Sequence, residues 1–359
     1  AQARGAGQAD EMRTVLAQAV LIAVAIAGML LLVQVPAGRL AMWLIAPEPD
    51  VTAPAWTYFS VRIWAAPAAL TNFALVGWFI GMQNTRAPLY LMLVTNLTNI
   101  VLSILFVVGL GLRTGGVAAA SVIAEFAGLL VGIWLARREL GRFGGRLSRA
   151  NVLDPGKLRR IFSVNANLLV RTLSLMFVFG FITAQGARQG TAILAANAIL
   201  IQFQYLMSYA LDGFAHAAEA LAGRSLGEKN AAGFREAVRL SLIWSAAVAV
   251  GFALFYAIAG GPIIAFLTSQ PDLRLLAASF LPWIVLSPLV SFWSFLFDGV
   301  FVGATWAREM RNTMVGSAFG VFVPVFYLTQ WLELGNHGLW LSFLVFMVSR
   351  AVTMGAVYR

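Results

Sequence analysis

Long apolar segments alternate with short polar stretches along the whole chain. A helix that crosses the hydrocarbon core of a bilayer needs about 20 residues, and ten of the apolar segments reach roughly that length. They lie at residues 15–33, 56–81, 89–109, 117–136, 161–183, 193–223, 237–258, 275–302, 310–328 and 339–357. The pattern therefore predicts an all-α polytopic membrane protein with ten spanning helices.

The composition supports this class and narrows the chemistry. Of the 359 residues, 60% are hydrophobic and only 11% are charged, whereas ordinary soluble domains carry roughly 25% charged residues. The sequence has no cysteine and two histidines, which excludes disulfides and thiolate metal sites. It contains no nucleophile–base motif, metal-ligand cluster or glycine-rich phosphate loop. We therefore predict that the protein is not an enzyme and has no cofactor apart from a coupling ion.

The basic residues that give the net charge of +10 are concentrated in alternate loops, above all in residues 137–160. We count Arg350 among the basic residues on the same side of the membrane as residues 137–160. Because loops rich in Lys and Arg stay on the cytoplasmic side, this distribution predicts a multi-pass membrane protein with a cytoplasmic C-terminus. The membrane we expect is the bacterial plasma (inner) membrane. Basic residues that flank spans do not form one binding face, so nucleic acid is not a predicted partner.

One structural unit occurs twice in the chain. Matching residues are 222 positions apart, as 299 minus 77 shows. The pairs are Gly77 and Gly299, Phe79 and Phe301, Gly81 and Gly303, Arg86 and Arg308, Arg13 and Arg235, Gly116 and Gly338, and Arg137 and Arg359. The second copy has an even number of spans, so the two copies insert in parallel. Such duplication is typical of secondary transporters.

The repeat also predicts the domain organisation. We assign residues 1–136 to a first lobe, 137–160 to a cytoplasmic linker and 161–359 to a second lobe. Residues 157–221 have no counterpart upstream. We therefore expect that the first repeat lacks two helices and that the full-length protein has twelve helices. The alternative is an asymmetric ten-helix protein.

Four stretches resemble one transporter family. They are GWFIGMQNTRAPL (77–89), NLTNIVLSILFVVGLG (96–111), VAAASVIAEFAGLLVGIWLARREL (117–140), and the long stretch 181–227 that contains LDGFAHAAEALAG. The chain resembles the multidrug and toxic compound extrusion (MATE) transporters, in particular their DinF-like branch. The resemblance implies a two-lobe bundle of parallel six-helix repeats, with about ten of twelve helices present because helices 1 and 2 are missing. It also implies a cavity for amphipathic substrates and antiport driven by H⁺ or Na⁺.

Ionisable groups inside a membrane are costly, so each is a functional candidate. By the resemblance, Asp298 falls where sodium-coupled relatives carry a carboxylate implicated in cation coupling. Arg171 falls near a second such carboxylate, and its fixed positive charge argues against a Na⁺ site. Arg171 can instead act as the charge partner of Asp298 or Glu219. The alternative is that Asp298 only buttresses its helix.

Asp212, His216 and Glu219 are spaced i, i+4 and i+7, which places them on one helix face. This face is a candidate proton relay, because histidine titrates near neutral pH. A hydrogen-bonded stripe that packs two helices together is the alternative. Asn197 and His216 are candidates for polar groups of the cavity.

The first repeat offers a second set of candidates. Asn99 and Ser103 lie one turn apart, and by the resemblance relatives carry an aspartate of a proton site where this chain has Ser103. Serine has no titratable charge, so this chain lacks the group that would bind a proton at this position. Asn72, Ser121 and Glu125 are candidates for the lobe's polar interior, and interhelical hydrogen bonding is the alternative explanation.

Two prolines lie inside predicted spans at nearly equivalent positions of the repeats. Pro67 and Pro288 remove a backbone donor and can kink a helix. They are the candidate hinge residues.

The leading functional hypothesis is a monomeric secondary antiporter, embedded in membrane lipid, that exports small amphipathic or cationic organic compounds in exchange for H⁺, with Na⁺ as the alternative ion. The second hypothesis, from the same superfamily, is a flippase for lipid-linked precursors. Such flippases carry several cations in the cavity, and the sequence places only Arg171 clearly inside the membrane.

Overall fold

The computed structural model describes residues 1–45 and 48–358, and nearly all of these residues are helical. Among them, ten helical stretches are long and apolar enough to cross a membrane. The spans are Ala9–Leu32, Pro49–Gly81, Arg86–Gly109, Arg113–Phe143, Arg149–Arg188, Thr191–Gly227, Ala231–Leu267, Pro271–Ala304, Ala307–Trp331 and Gly335–Tyr358. The ten predicted spans are confirmed.

The individual helices are numbered in chain order. They are α1 (Gln2–Gly5), α2 (Ala9–Leu32), α3 (Gln34–Ile45), α4 (Pro49–Arg62), α5 (Ala66–Gly81), α6 (Arg86–Ile104), α7 (Arg113–Phe143), α8 (Arg149–Val152), α9 (Pro155–Arg188), α10 (Thr191–Gly227), α11 (Ala231–Leu267), α12 (Pro271–Ala304), α13 (Ala307–Val315), α14 (Val323–Trp331) and α15 (Gly335–Tyr358).

Many helices extend beyond the apolar segments that predict them. Helix α10 has 37 residues and is therefore about 55 Å long at 1.5 Å per residue, well beyond the thickness of a hydrocarbon core. Polar residues determine where such helices begin and end. At the start of α11, the Asn230 side chain accepts a hydrogen bond from Gly233 N at 2.8 Å and caps the helix, as N-cap residues do. Hydropathy marks the membrane-embedded part of a helix and not its full length.

Local breaks interrupt three of the spans. A 3-10 turn at Ile63–Ala65 separates α4 from α5, and Pro67 lies in the first turn of α5, where its missing N–H costs no helical bond. Pro288 is buried within the continuous helix α12. Two segments are π-helical. Leu105–Gly109 follows α6 at the end of its span, and Gly316–Phe322 joins α13 to α14 within one span. The two candidate hinge prolines therefore occupy different local structures.

The chain divides into two compact units. The first comprises Ala6–Leu158, and the second comprises Ala1–Gly5 together with the chain from Arg159 onward. The division falls inside the segment 137–160 that the sequence assigns to a linker; Arg359 lies outside the described residues.

The end of α7 and the residues after it dock onto α2 within the first unit. Arg13 donates from Nε to Gly144 O at 2.6 Å and from Nη2 to Leu140 O at 2.7 Å. Asp10 Oδ1 accepts from the backbone N–H of Arg146 at 2.6 Å, and Lys157 pairs with Glu11. Most of the predicted linker is therefore part of the first unit's structure.

Glycines bring α10 and α12 into backbone contact in the second unit. A Cβ added at Gly299 would lie 2.0 Å from Ala215 O, and one at Gly303 would lie 2.4 Å from Glu219 O. This is the small-xxx-small packing of membrane helices. The glycine spacing therefore allows the backbones of α10 and α12 to meet.

Candidate functional site

The charged groups inside the second unit form a cluster centred on Asp298 of α12. Its Oδ2 accepts a hydrogen bond from Arg350 Nη2 of α15 at 2.7 Å and pairs with Arg171 of α9. The side chains of Asp298, Arg171 and Arg350 are 13%, 19% and 3% exposed. One carboxylate oxygen therefore joins three helices.

Sequence reasoning missed Arg350. It counts this residue with the cytoplasmic basic residues, but the structure places it in the interior, where only 2% of the residue is exposed. The guanidinium carbon lies 5.6 Å from the centroid of the Phe346 ring, and Nη1 is 3.5 Å from Met347 Sδ. The prediction that only Arg171 is clearly intramembrane is thus wrong. The available signal was that residue 350 falls inside the last apolar segment.

The cluster formed by Arg171, Asp298 and Arg350, hereafter the arginine–aspartate triad, holds two positive charges and one negative charge. Among the described residues, Asp298 Oδ1, Arg171 Nε and Arg350 Nε are buried without a hydrogen-bond partner. Removing one partner of a buried ion pair typically costs about 3–5 kcal/mol, because the other charge is left uncompensated. The Asp298 carboxylate is therefore needed to balance the two guanidinium groups.

The face of α10 that carries Asp212, His216 and Glu219 has one internal contact. His216 Nδ1 lies 3.4 Å from Glu219 Oε2, and these side chains are 54% and 24% exposed. Asp212 is half-buried, and no hydrogen bond or ion pair joins its carboxylate to another described side chain. The charges that act on it are those of His216, Asp298 and Arg171.

A smaller polar cluster lies inside the first unit. Glu125 of α7 pairs through Oε1 with Arg62 Nη2 at 3.3 Å. Asn72 of α5, which is 5% exposed, donates to Glu125 Oε2 at 3.1 Å and to Glu125 O at 3.0 Å. Within the described part of the chain, Asn72 Oδ1 and Thr95 Oγ1 are buried without partners. The structure thus brings Asn72 and Glu125 together.

The other polar candidates of the first unit form a separate contact. Asn99 Nδ2 donates to Ser121 Oγ at 2.9 Å, and Ser121 Oγ donates to Val117 O at 3.0 Å. No hydrogen bond between described residues joins Ser103 to this pair. Asn99 and Ser121 therefore connect α6 to α7.

Asn197 lies in a buried amide network that connects α10 to α15. It is 1% exposed, donates to Asn336 Oδ1 at 2.8 Å, and accepts from Asn336 Nδ2 and Trp340 Nε1, each at 2.9 Å. Its polar atoms are thus used within this helix pair. Sequence reasoning did not anticipate Asn336 and Trp340 as partners.

The fold and these interior charges define the protein's class, a polytopic α-helical membrane transporter built from two units. The chain belongs to the MatE family, whose model matches residues 1–105 and 167–328. Among the described residues, no group of three or more His, Cys, Asp or Glu side chains is placed to hold a metal ion.

Several curated proteins are similar to this chain. It is 38% identical over 359 residues to DNA damage-inducible protein F of Escherichia coli (strain K12), and the alignment covers 100% of this chain and 78% of that protein. It is 25% identical over 339 residues to the probable multidrug resistance protein NorM of Rhizobium meliloti (strain 1021), covering 87% of this chain and 71% of that protein. With Protein DETOXIFICATION 43 of Arabidopsis thaliana the identity is 28% over 314 residues, and the chain spans only 57% of that relative.

Solved structures share the fold at low sequence identity. A MOP superfamily transporter from Pyrococcus furiosus superposes with a TM-score of 0.88 at 15% identity, over 99% of this chain and 80% of that one. The bent form of the Vibrio cholerae MATE transporter VcmN gives a TM-score of 0.80 at 22% identity, over 99% and 80% of the two chains.

These comparisons confirm the predicted MATE-like fold and DinF resemblance, and they establish a multi-pass membrane transporter that is not an enzyme. Transporters of this family use coupling ions. The two additional helices of the first repeat stay a prediction.

Proposed function

We propose that the protein is a secondary antiporter that exports small amphipathic or cationic organic compounds in exchange for H⁺. We further propose that it works as a monomer in the bacterial plasma membrane, with its C-terminus in the cytoplasm. Membership of the MatE family supports transport by ion exchange. The names of two relatives, which refer to multidrug resistance and detoxification, are consistent with organic substrates.

The arginine–aspartate triad is the observation that favours H⁺ over Na⁺. A hard cation such as Na⁺ is bound by several oxygen ligands at once. In the second unit, Asp298 Oδ2 is already shared by two guanidinium groups. A sodium ion at Asp298 would also lie close to two fixed positive charges. Protons can instead be carried by the carboxylates that remain, namely Asp212, Glu219 and Glu125.

Uptake measurements in proteoliposomes test this proposal. We expect a fluorescent lipophilic cation to accumulate when a pH gradient is imposed, equally well with and without Na⁺. A protonophore that collapses the gradient should abolish the accumulation. Transport that follows a Na⁺ gradient at constant pH would contradict H⁺ coupling, and transport without any ion gradient would contradict antiport.

A flippase for anionic lipid-linked precursors is a second candidate, and Arg350 is the specific observation that favours it. With Arg171, it places two cations and one anion in the interior of the second unit. This net positive charge suits a phosphate better than a lipophilic cation. Competition distinguishes the candidates: a flippase would be inhibited by anionic phospholipid analogues and would ignore the pH gradient.

A further inference from the structure

Two carboxylates lie in the second unit on helices that touch. Asp212 is one turn before Ala215 on α10, and Asp298 immediately precedes Gly299 on α12. Gly299 packs against Ala215 closely enough that a Cβ would lie 2.0 Å from Ala215 O. The two carboxylates therefore occupy neighbouring positions in the interior but have different surroundings.

Asp298 Oδ2 is shared by two guanidinium groups, whereas its Oδ1 is buried without a hydrogen-bond partner among the described residues. A cation at Oδ1 would lie next to two fixed positive charges, and a cation at Oδ2 must displace Arg171 or Arg350. Arg350 is 3% exposed and has no other carboxylate contact among the described residues. Displacing it would leave a buried, uncompensated guanidinium, which is strongly unfavourable. Asp298 is therefore suited to holding α9, α12 and α15 together and not to repeated uptake and release of a cation.

Asp212 has the opposite properties. It is half-buried, and none of the hydrogen bonds or ion pairs between described residues involves its carboxylate. The charges that face it are His216 on its own helix, Asp298 of α12 and Arg171 of α9. Helix α11 also packs on α10, and its charged residues, Arg235, Glu236 and Arg239, all lie in its first turns. Helix α1, which contacts α10 as well, carries Arg4.

We infer that Asp212 carries the transported proton in the second unit, and that Asp298 is a structural counter-charge. The proton binds to the Asp212 carboxylate from one side of the membrane and leaves to the other, so no bond other than O–H forms or breaks. Glu219 and His216 lie on the same face of α10 nearer its end, where they can pass protons to and from Asp212. This inference rests on the proposed H⁺ antiport.

The test compares isosteric substitutions. Asp212→Asn removes the proton carrier, Asp298→Asn removes the counter-charge, and Asp272→Asn makes the same change at an exposed carboxylate in the first turn of α12. The double variant Asp298→Asn/Arg171→Met removes one negative and one positive charge, so the triad keeps its net charge. Each protein is assayed for proton release when the fluorescent lipophilic cation is added in weakly buffered detergent solution, for uptake of that cation driven by a pH gradient in proteoliposomes, and for its melting temperature.

We expect Asp212→Asn to melt like the parent and to lose both proton release and gradient-driven uptake. Asp212→Glu, which keeps a carboxylic acid, should recover proton release with an altered pH dependence. Asp298→Asn should lower the melting temperature, and the double variant should regain part of that loss and still release protons. The Asp272→Asn control should match the parent in all three assays.

Two outcomes would overturn the inference. One is proton release by folded Asp212→Asn at the parent level. The other is a double variant that melts like the parent but releases no protons. Failure of the proposed function is distinguishable, because in that case the parent protein itself would neither release protons on substrate binding nor respond to a pH gradient.

Discussion

At the scale of single residues, the charge balance around Asp298 dominates the second unit. Two guanidinium groups share its Oδ2, and all three side chains are largely buried. Sequence reasoning identified Arg171 as a possible partner of Asp298, because both fall inside apolar segments. It missed Arg350 because a count of loop charges assigns residues near a span end to the aqueous phase. Burial depends on the neighbours that a helix face meets, and a one-dimensional pattern does not contain them.

The triad predicts an order of stability for single substitutions. Asp298→Asn leaves two buried cations without a counter-charge, so we expect a loss of about 3–5 kcal/mol. Arg171→Met should cost less, because it leaves the neutral pair of Asp298 and Arg350. Thermal melting in detergent measures both. An Arg171→Met variant that is less stable than Asp298→Asn would contradict this charge balance.

The amide network around Asn197 leads to a second prediction. Asn197→Ala removes the acceptor of Asn336 Nδ2 and Trp340 Nε1, and buried groups left without partners cost about 1–3 kcal/mol each. We expect a clear fall in melting temperature. The control is Asn96→Ala, at an exposed position of α6, which should melt like the parent; equal melting of the two variants would refute a structural role for the network.

At the scale of elements, glycines decide how closely α10 and α12 pack. Gly299 and Gly303 let α12 touch the backbone of α10, whereas Gly251 of α11 meets no described atom within 4 Å of an added Cβ. The sequence shows Gly251 and Gly299 alike inside apolar segments. Only the structure shows which of them a neighbouring helix approaches, because that depends on which faces the helices present to each other.

Two glycines of the second unit provide a matched pair of variants. Gly299→Ala would push a methyl group into Ala215 O at 2.0 Å, a backbone atom that cannot rotate away, so α10 and α12 must separate and stability should fall. Gly251→Ala, at an exposed position of α11, should be neutral or slightly stabilising, since alanine favours a helix by about 1 kcal/mol over glycine. Melting temperatures measure both effects. A Gly251→Ala variant as damaged as Gly299→Ala would disagree with the packing described.

At the scale of the whole molecule, the distribution of basic loops predicts the orientation in the membrane. Between Ser148 and Gln270 the chain crosses the membrane three times, through the spans Arg149–Arg188, Thr191–Gly227 and Ala231–Leu267. Both residues are exposed and lie in loops that should face opposite sides. The loop with Ser148 is rich in arginine and should be cytoplasmic.

The absence of natural cysteine makes this orientation directly measurable. We expect a membrane-impermeant maleimide to label Gln270→Cys in intact cells, and to label Ser148→Cys only after the cells are permeabilised. The unsubstituted chain, which has no thiol, is the control for background labelling. The reverse labelling pattern would invert the proposed topology and place the C-terminus outside.

The sequence by itself determined the class of the protein: ten spans, a helical membrane fold and membership of a transporter family. These features follow from local hydropathy and from recurring residues, because a long apolar helix satisfies its own backbone hydrogen bonds and can therefore cross a bilayer. Tertiary structure decided the chemistry of the interior. Asp298 meets Arg350 across 52 positions and Arg171 across 127, and Asp212 has no such partner among the described residues. Which charges pair depends on helix rotation and packing, and these are properties of the folded molecule.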